Sequence, residues 1–152
     1  MNREQTLQIL YELALISGSE THVDPLIKKV LQRLLYHTAF PCGLFVSQVN
    51  NTNNDTYEGL IEQVIGCGHF LEKKGSLLTI PGKLLTTSKD NFFTDKKVLK
   101  DTFGNNYKYI TALTLPVSSN EYFILLAKTI PEFDMPFGRI FEPVLKIGRA
   151  SC

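Results

Sequence analysis

The stretch Tyr109–Lys128, YITALTLPVSSNEYFILLAK, constrains the fold more than any other part of the chain. Two apolar runs rich in Ile, Leu, Val, Tyr, Phe and Thr flank the polar, turn-prone Ser118-Ser119-Asn120-Glu121. Each run is too short for a typical helix, so the pattern predicts an antiparallel hairpin. In the second run Phe123, Leu125 and Ala127 alternate with Tyr122, Ile124 and Leu126, which leaves no polar face before Lys128. A strand that is apolar on both sides must be covered on both sides. The hairpin is therefore expected at the centre of a sheet, with helices on one face and a second cover, enclosing a ligand or simply packed, on the other.

Size and composition set the frame for that sheet. At 152 residues and 43% hydrophobic content the chain suits one globular domain with a full core, expected over residues 1–152, and the helices and strands read below make it α+β. No apolar run is long enough to span a bilayer, and the opening MNREQTLQIL lacks the order of a signal peptide, so a cytoplasmic chain without membrane contact is expected. The three cysteines, Cys42, Cys67 and Cys152, are odd in number and show no CxxC spacing, and they read as reduced thiols rather than a disulfide framework or a zinc site. Net charge is +1, which argues against a nucleic-acid partner. Charge is nonetheless uneven: residues 73–108 carry eight Lys against three Asp. Such a segment attracts an anion or the acidic first half of a partner copy, residues 1–72 carrying four Lys or Arg against eight Asp or Glu, or it is a solvated lysine face.

The remaining elements follow from periodicity and stop signals. Leu7, Leu10, Leu13 and Ala14 recur at helical spacing, predicting a helix over 4–16 that ends near Gly18. Asp24-Pro25 caps and opens a second helix with Leu26, Ile27, Val30, Leu31, Leu34 and Leu35 inward, stopped by Pro41-Cys42-Gly43. Strands are predicted over 43–50 and 57–68, joined by the Asn/Asp-rich turn at 50–55, with a short strand over 77–80 halted by Pro81-Gly82. Gly59 and Gly66 mark a bulge or a close backbone approach within the second strand. Thr94 or Asp95 caps a short helix presenting Val98, Leu99 and Phe103, with Gly104 beyond it. A last helix from about Pro136, kinked at Pro143, points Ile140, Phe141 and Val144 inward and ends without a stop, as in a fragment that continues into another domain.

The order of these elements, with LYELALIS, DPLIKKVLQRLL, ITALTLPV, YFILLAK and FGRIFEPVLKIGRASC, resembles a GAF domain of the kind found as the sensory module of bacterial signalling proteins with GGDEF, HD-type or histidine kinase outputs. The resemblance implies a PAS-related, six-stranded antiparallel sheet with a helical layer from the N- and C-terminal helices on one face. A small helix and loops would cover a small-molecule pocket on the other. It further implies an output domain in cis and a ligand drawn from cyclic nucleotides, tetrapyrroles, haem or small metabolites. The asparagine-lysine, phenylalanine and aspartate-glutamate pattern of cyclic-nucleotide binders is not matched by Asn91-Phe92 and Lys96-Lys97. The Cys-His pair of bilin binders is interrupted in Cys67-Gly68-His69, so the cofactor stays unknown.

Candidate pocket residues are Cys67, His69, Phe92, Phe93, Phe103, Tyr107 and Tyr109. A thiol and an imidazole two positions apart on an extended strand share a face, where they would meet a ligand; the alternative is a buried cysteine followed by a surface histidine. The aromatic rings either line a cavity, with Lys96 and Lys97 near an anionic group, or fill the core. No Ser/His/Asp grouping, phosphate-binding glycine loop or paired-carboxylate site is present, so no intrinsic catalysis and no metal site are expected. The catalytic GAF class, the free methionine-R-sulfoxide reductases, would require pocket cysteines to meet. The apolar excess on Leu7, Leu10, Ile16 and Ile140 predicts a homodimer through the helical face. Two functions are thus carried forward, a ligand-binding sensor and a ligand-free dimerisation connector.

Overall fold

The computed structural model describes residues 3–17, 24–66, 73–85, 93–104 and 108–129. Two helices, α1 (Arg3–Ser17) and α2 (Asp24–Thr38), precede strands β1 (Cys42–Asn53), β2 (Thr56–Ile65) and β3 (Leu77–Pro81). The short helices α3 (Gly82–Leu85) and α4 (Lys96–Phe103) follow, and then the hairpin β4 (Thr111–Ser118) and β5 (Glu121–Ala127). The five strands form one antiparallel sheet in the order β3-β2-β1-β5-β4. The expected last helix, with Ile140 and Pro143, lies outside the described residues.

The alternation in β5 sorts its side chains as the sequence requires. Phe123, Leu125 and Ala127 enter a cluster with Ile9, Ile16, Ile27, Leu31 and Leu34 of the two long helices. Ile124 and Leu126 enter a second cluster on the opposite face, with Leu84, Leu99 and Phe103. Period-two alternation puts neighbouring side chains on opposite faces, and here both faces are dry. Phe45 of β1 packs against Phe123 with ring centroids 5.0 Å apart, next to the hairpin's buried leucines.

Two expectations are corrected here. The hairpin is not at the centre of the sheet: β1 holds the middle position, paired to β2 on one side and β5 on the other, while β4 is an edge. Five of the six expected strands lie among the described residues, and outside β4 the bridge Phe93↔Ala112 continues the sheet. The second helix also stops earlier than expected: Thr38 turns its hydroxyl back onto the Leu34 carbonyl, Ala39 takes a positive φ of 59°, and Cys42 and Gly43 already belong to β1.

Helix α1 is tied to α2 by more than apolar contact. The Glu12 carboxylate is almost fully buried and meets Lys29 at 3.3 Å and Arg33 at 3.5 Å. A buried carboxylate without these cations would be strongly destabilising, so the pair fixes how α1 sits on α2. Gly66, just past β2, supplies the close backbone approach read from the sequence. A Cβ there would lie 2.1 Å from the Pro41 carbonyl oxygen, and its φ of +80° suits only glycine comfortably.

Because Phe123 is the largest side chain of β5 in the helix-side cluster, Phe123→Ala is expected to cost about 3–5 kcal/mol. Urea denaturation with unchanged slope and a lowered midpoint would check it.

Candidate functional site

The second face of the sheet has only short covers, and there the surface is concave. Helix α4 forms because Asp95 caps it, its carboxylate accepting from the Lys97 and Val98 amides at 3.1 and 3.2 Å. Gly104, with φ of 98°, ends it and donates its N–H to the Lys100 carbonyl. Leu99 and Phe103, four apart, are buried against the sheet, and this pins α4 flat. Val98, Asp101 and Thr102 are left to face β3.

Strand β3 is the outer strand of the sheet, and between it and α4 runs a groove with two lobes of about 470 and 450 Å³. Leu77, Leu78, Asp101 and Thr102 line both lobes. Val98, Thr79 and Lys83 belong to the first lobe, and Ile61, Lys73 and Phe103 to the second. Thr102 spends its hydroxyl proton on the Val98 carbonyl at 2.8 Å, so toward a ligand it offers acceptor lone pairs. The lining is thus apolar walls with two lysines and one carboxylate, a mixture typical of sites that orient a small polar molecule.

Of the residues expected at a pocket, Phe103 is a wall of the second lobe. Its ring also meets Tyr109 edge-on, centroids 6.4 Å apart at 88°, and both are buried. Phe93 is half-buried against the same cluster. Phe93, Phe103 and Tyr109 thus belong to one packed cluster, in which Phe103 alone of the three lines the groove. Cys67, His69, Phe92 and Tyr107 lie outside the described residues. Lys96 and Lys97 are exposed on the first turn of α4 and line neither lobe; the groove's lysines are Lys73 and Lys83. Among the described residues no three His, Cys, Asp or Glu side chains gather as a metal site would require, and no helix is long and apolar enough to cross a membrane.

The same arrangement of sheet and helices occurs in the GAF domain of the phosphoenolpyruvate-protein phosphotransferase of Acinetobacter. It superposes with a TM-score of 0.61 at 12% identity, over 99% of this chain and 93% of that one. The chain has the GAF fold. The nlh2 GAF domain of A. aeolicus in an inactive state gives a TM-score of 0.48 at 12% identity, over 97% of this chain and 93% of that one. No family model matches the sequence, and no curated protein matches it.

Within this GAF fold the groove residues Leu77, Thr79, Asp101 and Thr102 escape sequence reasoning. Helical spacing separates Leu99 and Phe103 from Val98 and Asp101, but nothing local says that the second pair looks onto β3. The cysteine reading is corrected outright. Cys42 is disulfide-bonded and buried, with the Tyr109 hydroxyl 3.2 Å from its Sγ and donating to it. Its possible partners in this chain, Cys67 and Cys152, lie outside the described residues. Cysteine count and spacing test only local motifs, and a bond joining distant parts of the chain leaves no mark on either.

Reduction, or Cys42→Ser, is expected to lower stability by about 2–4 kcal/mol. Thermal unfolding with and without a dithiol reductant measures the loss, and peptide mapping of the oxidised chain identifies the partner.

Proposed function

We propose that this domain is a sensory module of a bacterial signal-transduction protein that binds a small molecule in the β3–α4 groove. The observation that carries the reading is the groove itself. Its lobes fall within the few-hundred-Å³ range of ligand sites, and its walls combine apolar surface with a few charged and hydroxyl groups. The GAF fold supports it by analogy of architecture. A ligand bridging β3 and α4 favours one seating of α4. Phe103 carries that seating to Tyr109, and Tyr109 leads into β4 and so into the hairpin. The segment following β5 would convey the population shift to an output domain in cis.

The domain itself is read as non-catalytic. A reductase-like mechanism needs cysteines at the pocket, and Cys42 lines neither lobe. A ligand-free connector is the second reading, favoured by the dense filling of the sheet's second face by Leu99, Phe103, Tyr109, Ile124 and Leu126.

Thermal shifts against nucleotides, haem and small metabolites separate the two. A binder at a hundredfold excess over its Kd stabilises by about 2.7 kcal/mol. Val98→Trp, which fills the first lobe, is expected to abolish the shift while leaving the fold intact. No shift with any compound decides for the connector.

The homodimer is proposed through the outer face of α1. Ile16 points into the core and is withdrawn from that face, while Leu7, Tyr11 and Leu15 are 55%, 62% and 45% exposed along one stripe. The Leu10 side chain and Ile140 lie outside what is described. Light scattering is expected to give twice the chain mass, and Tyr11→Glu the single mass; a monomer at high concentration with the native sequence removes the dimer.

A further inference from the structure

We infer that β3 is a docking edge for an extended acidic peptide, which would join the sheet as an additional strand beside α4. Just before β3 the Ile61 N–H donates to the Ser76 carbonyl at 2.9 Å, and just after it the Gly82 N–H donates to the Asp55 carbonyl. Between these bonds the register is unbroken, pairing Leu77 with Leu60, Leu78 with Gly59, Thr79 with Glu58 and Ile80 with Tyr57. Hydrogen-bonded and non-bonded pairs alternate along an antiparallel ladder. Leu78 and Ile80 therefore turn their backbone groups to β2. The N–H and C=O of Leu77 and Thr79 turn to the outer edge, where no described residue pairs with them, while the Pro81 C=O is taken up by the first turn of α3.

The edge is accompanied by side-chain recognition. Leu77 is 62% exposed, and the groove that β3 shares with α4 runs along this edge. Main-chain bonds give such an added strand its affinity, and pockets for alternate side chains give it specificity. An apolar residue of the peptide would sit against Leu78 and Val98, and a hydroxyl or amide donor opposite Asp101. Lys73 and Lys83 lie toward the two ends of β3 and suit carboxylates at the peptide's ends.

Charge also selects a peptide over a second copy. The 73–108 segment carries eight Lys and three Asp, and a two-fold pairing of β3 with itself would bring like charges together. The five-residue length and the closing proline limit the edge to one short strand, which guards against open-ended sheet growth. The inference does not depend on a small molecule occupying the groove. A small molecule reads side chains, whereas a strand needs the amides of Leu77 and Thr79.

The probe is a fluorescein-labelled heptapeptide with a Val-Thr-Val centre and two glutamates at each end, followed by fluorescence anisotropy. Saturable binding is expected, weakened about tenfold when lysines replace the glutamates, which corresponds to about 1.4 kcal/mol. Thr79→Pro removes an outward N–H together with the threonine side chain, a change an edge strand tolerates, so it is expected to keep the thermal midpoint and weaken binding to the same degree, while Thr79→Val, which keeps the N–H, is expected to bind as the native chain does. Should that variant fail to fold, hydrogen exchange on the native chain decides, with slowed exchange of the Leu77 and Thr79 amides expected on adding peptide. Absence of binding, equal binding to Thr79→Pro, or unchanged exchange at those amides would overturn the inference. So would peptide-free self-association that Thr79→Pro abolishes, which would assign the edge to a second copy.

Discussion

The structure depends on two neighbouring strands, β1 and β5, whose residues are buried on both faces. Phe45, Phe123 and Leu125 face the long helices, and Leu44, Val46, Ile124 and Leu126 face the other way. Removing apolar surface from water contributes roughly 25 cal/mol per Å², so leaving either face bare would forfeit a large part of the folding free energy. Two covers are thus compulsory, and the chain supplies them in sequence: α1 and α2 before the sheet, α3 and α4 between β3 and β4.

The covers are unequal, and that inequality creates the candidate site. On the first face two helices of fifteen residues lie over the strands, locked by the buried Glu12 with Lys29 and Arg33. On the second face α4 has eight residues and spends its apolar pair, Leu99 and Phe103, on the sheet. A helix that short covers little more than the strands beneath its buried pair, so a trough remains between it and β3. Leu77 and Thr79 line that trough because β3 has no outer neighbour among the described residues.

Much of the fold was legible in the residues. The alternation in Phe123–Ala127, the Asp95 cap, the inward leucines of α2 and the glycine at 66 each encode a local rule, and each appears as read. What was not legible is pairing order. The apolar runs of β1 and β5 look alike from sequence, and only the chain's global path decides that β1 takes the centre and that β4 is left at an edge, with Phe93 bridged to Ala112. The site suffers from the same limit. Phe103 and Tyr109 could be named as aromatic candidates, but whether they line a space or fill one depends on where α4 lands, and the groove's Asp101 and Lys73 carry no signal of their own.

Between the groove and the sheet core runs a short physical path. Phe103 is at once a groove wall and the edge-to-face partner of Tyr109, whose hydroxyl reaches Cys42 Sγ at the start of β1. Interiors packed this closely transmit small displacements rather than absorb them, because a shifted ring must find another packed position. A change in α4 seating would therefore be felt at the entrance to β4 and at the first residue of the central strand together. Coupling of this kind needs two packed arrangements of one element and not a wire of special residues. Helix α4 is suited to that part: its cap, its two buried anchors and its glycine stop hold it as a unit, while its other side meets β3 across open space.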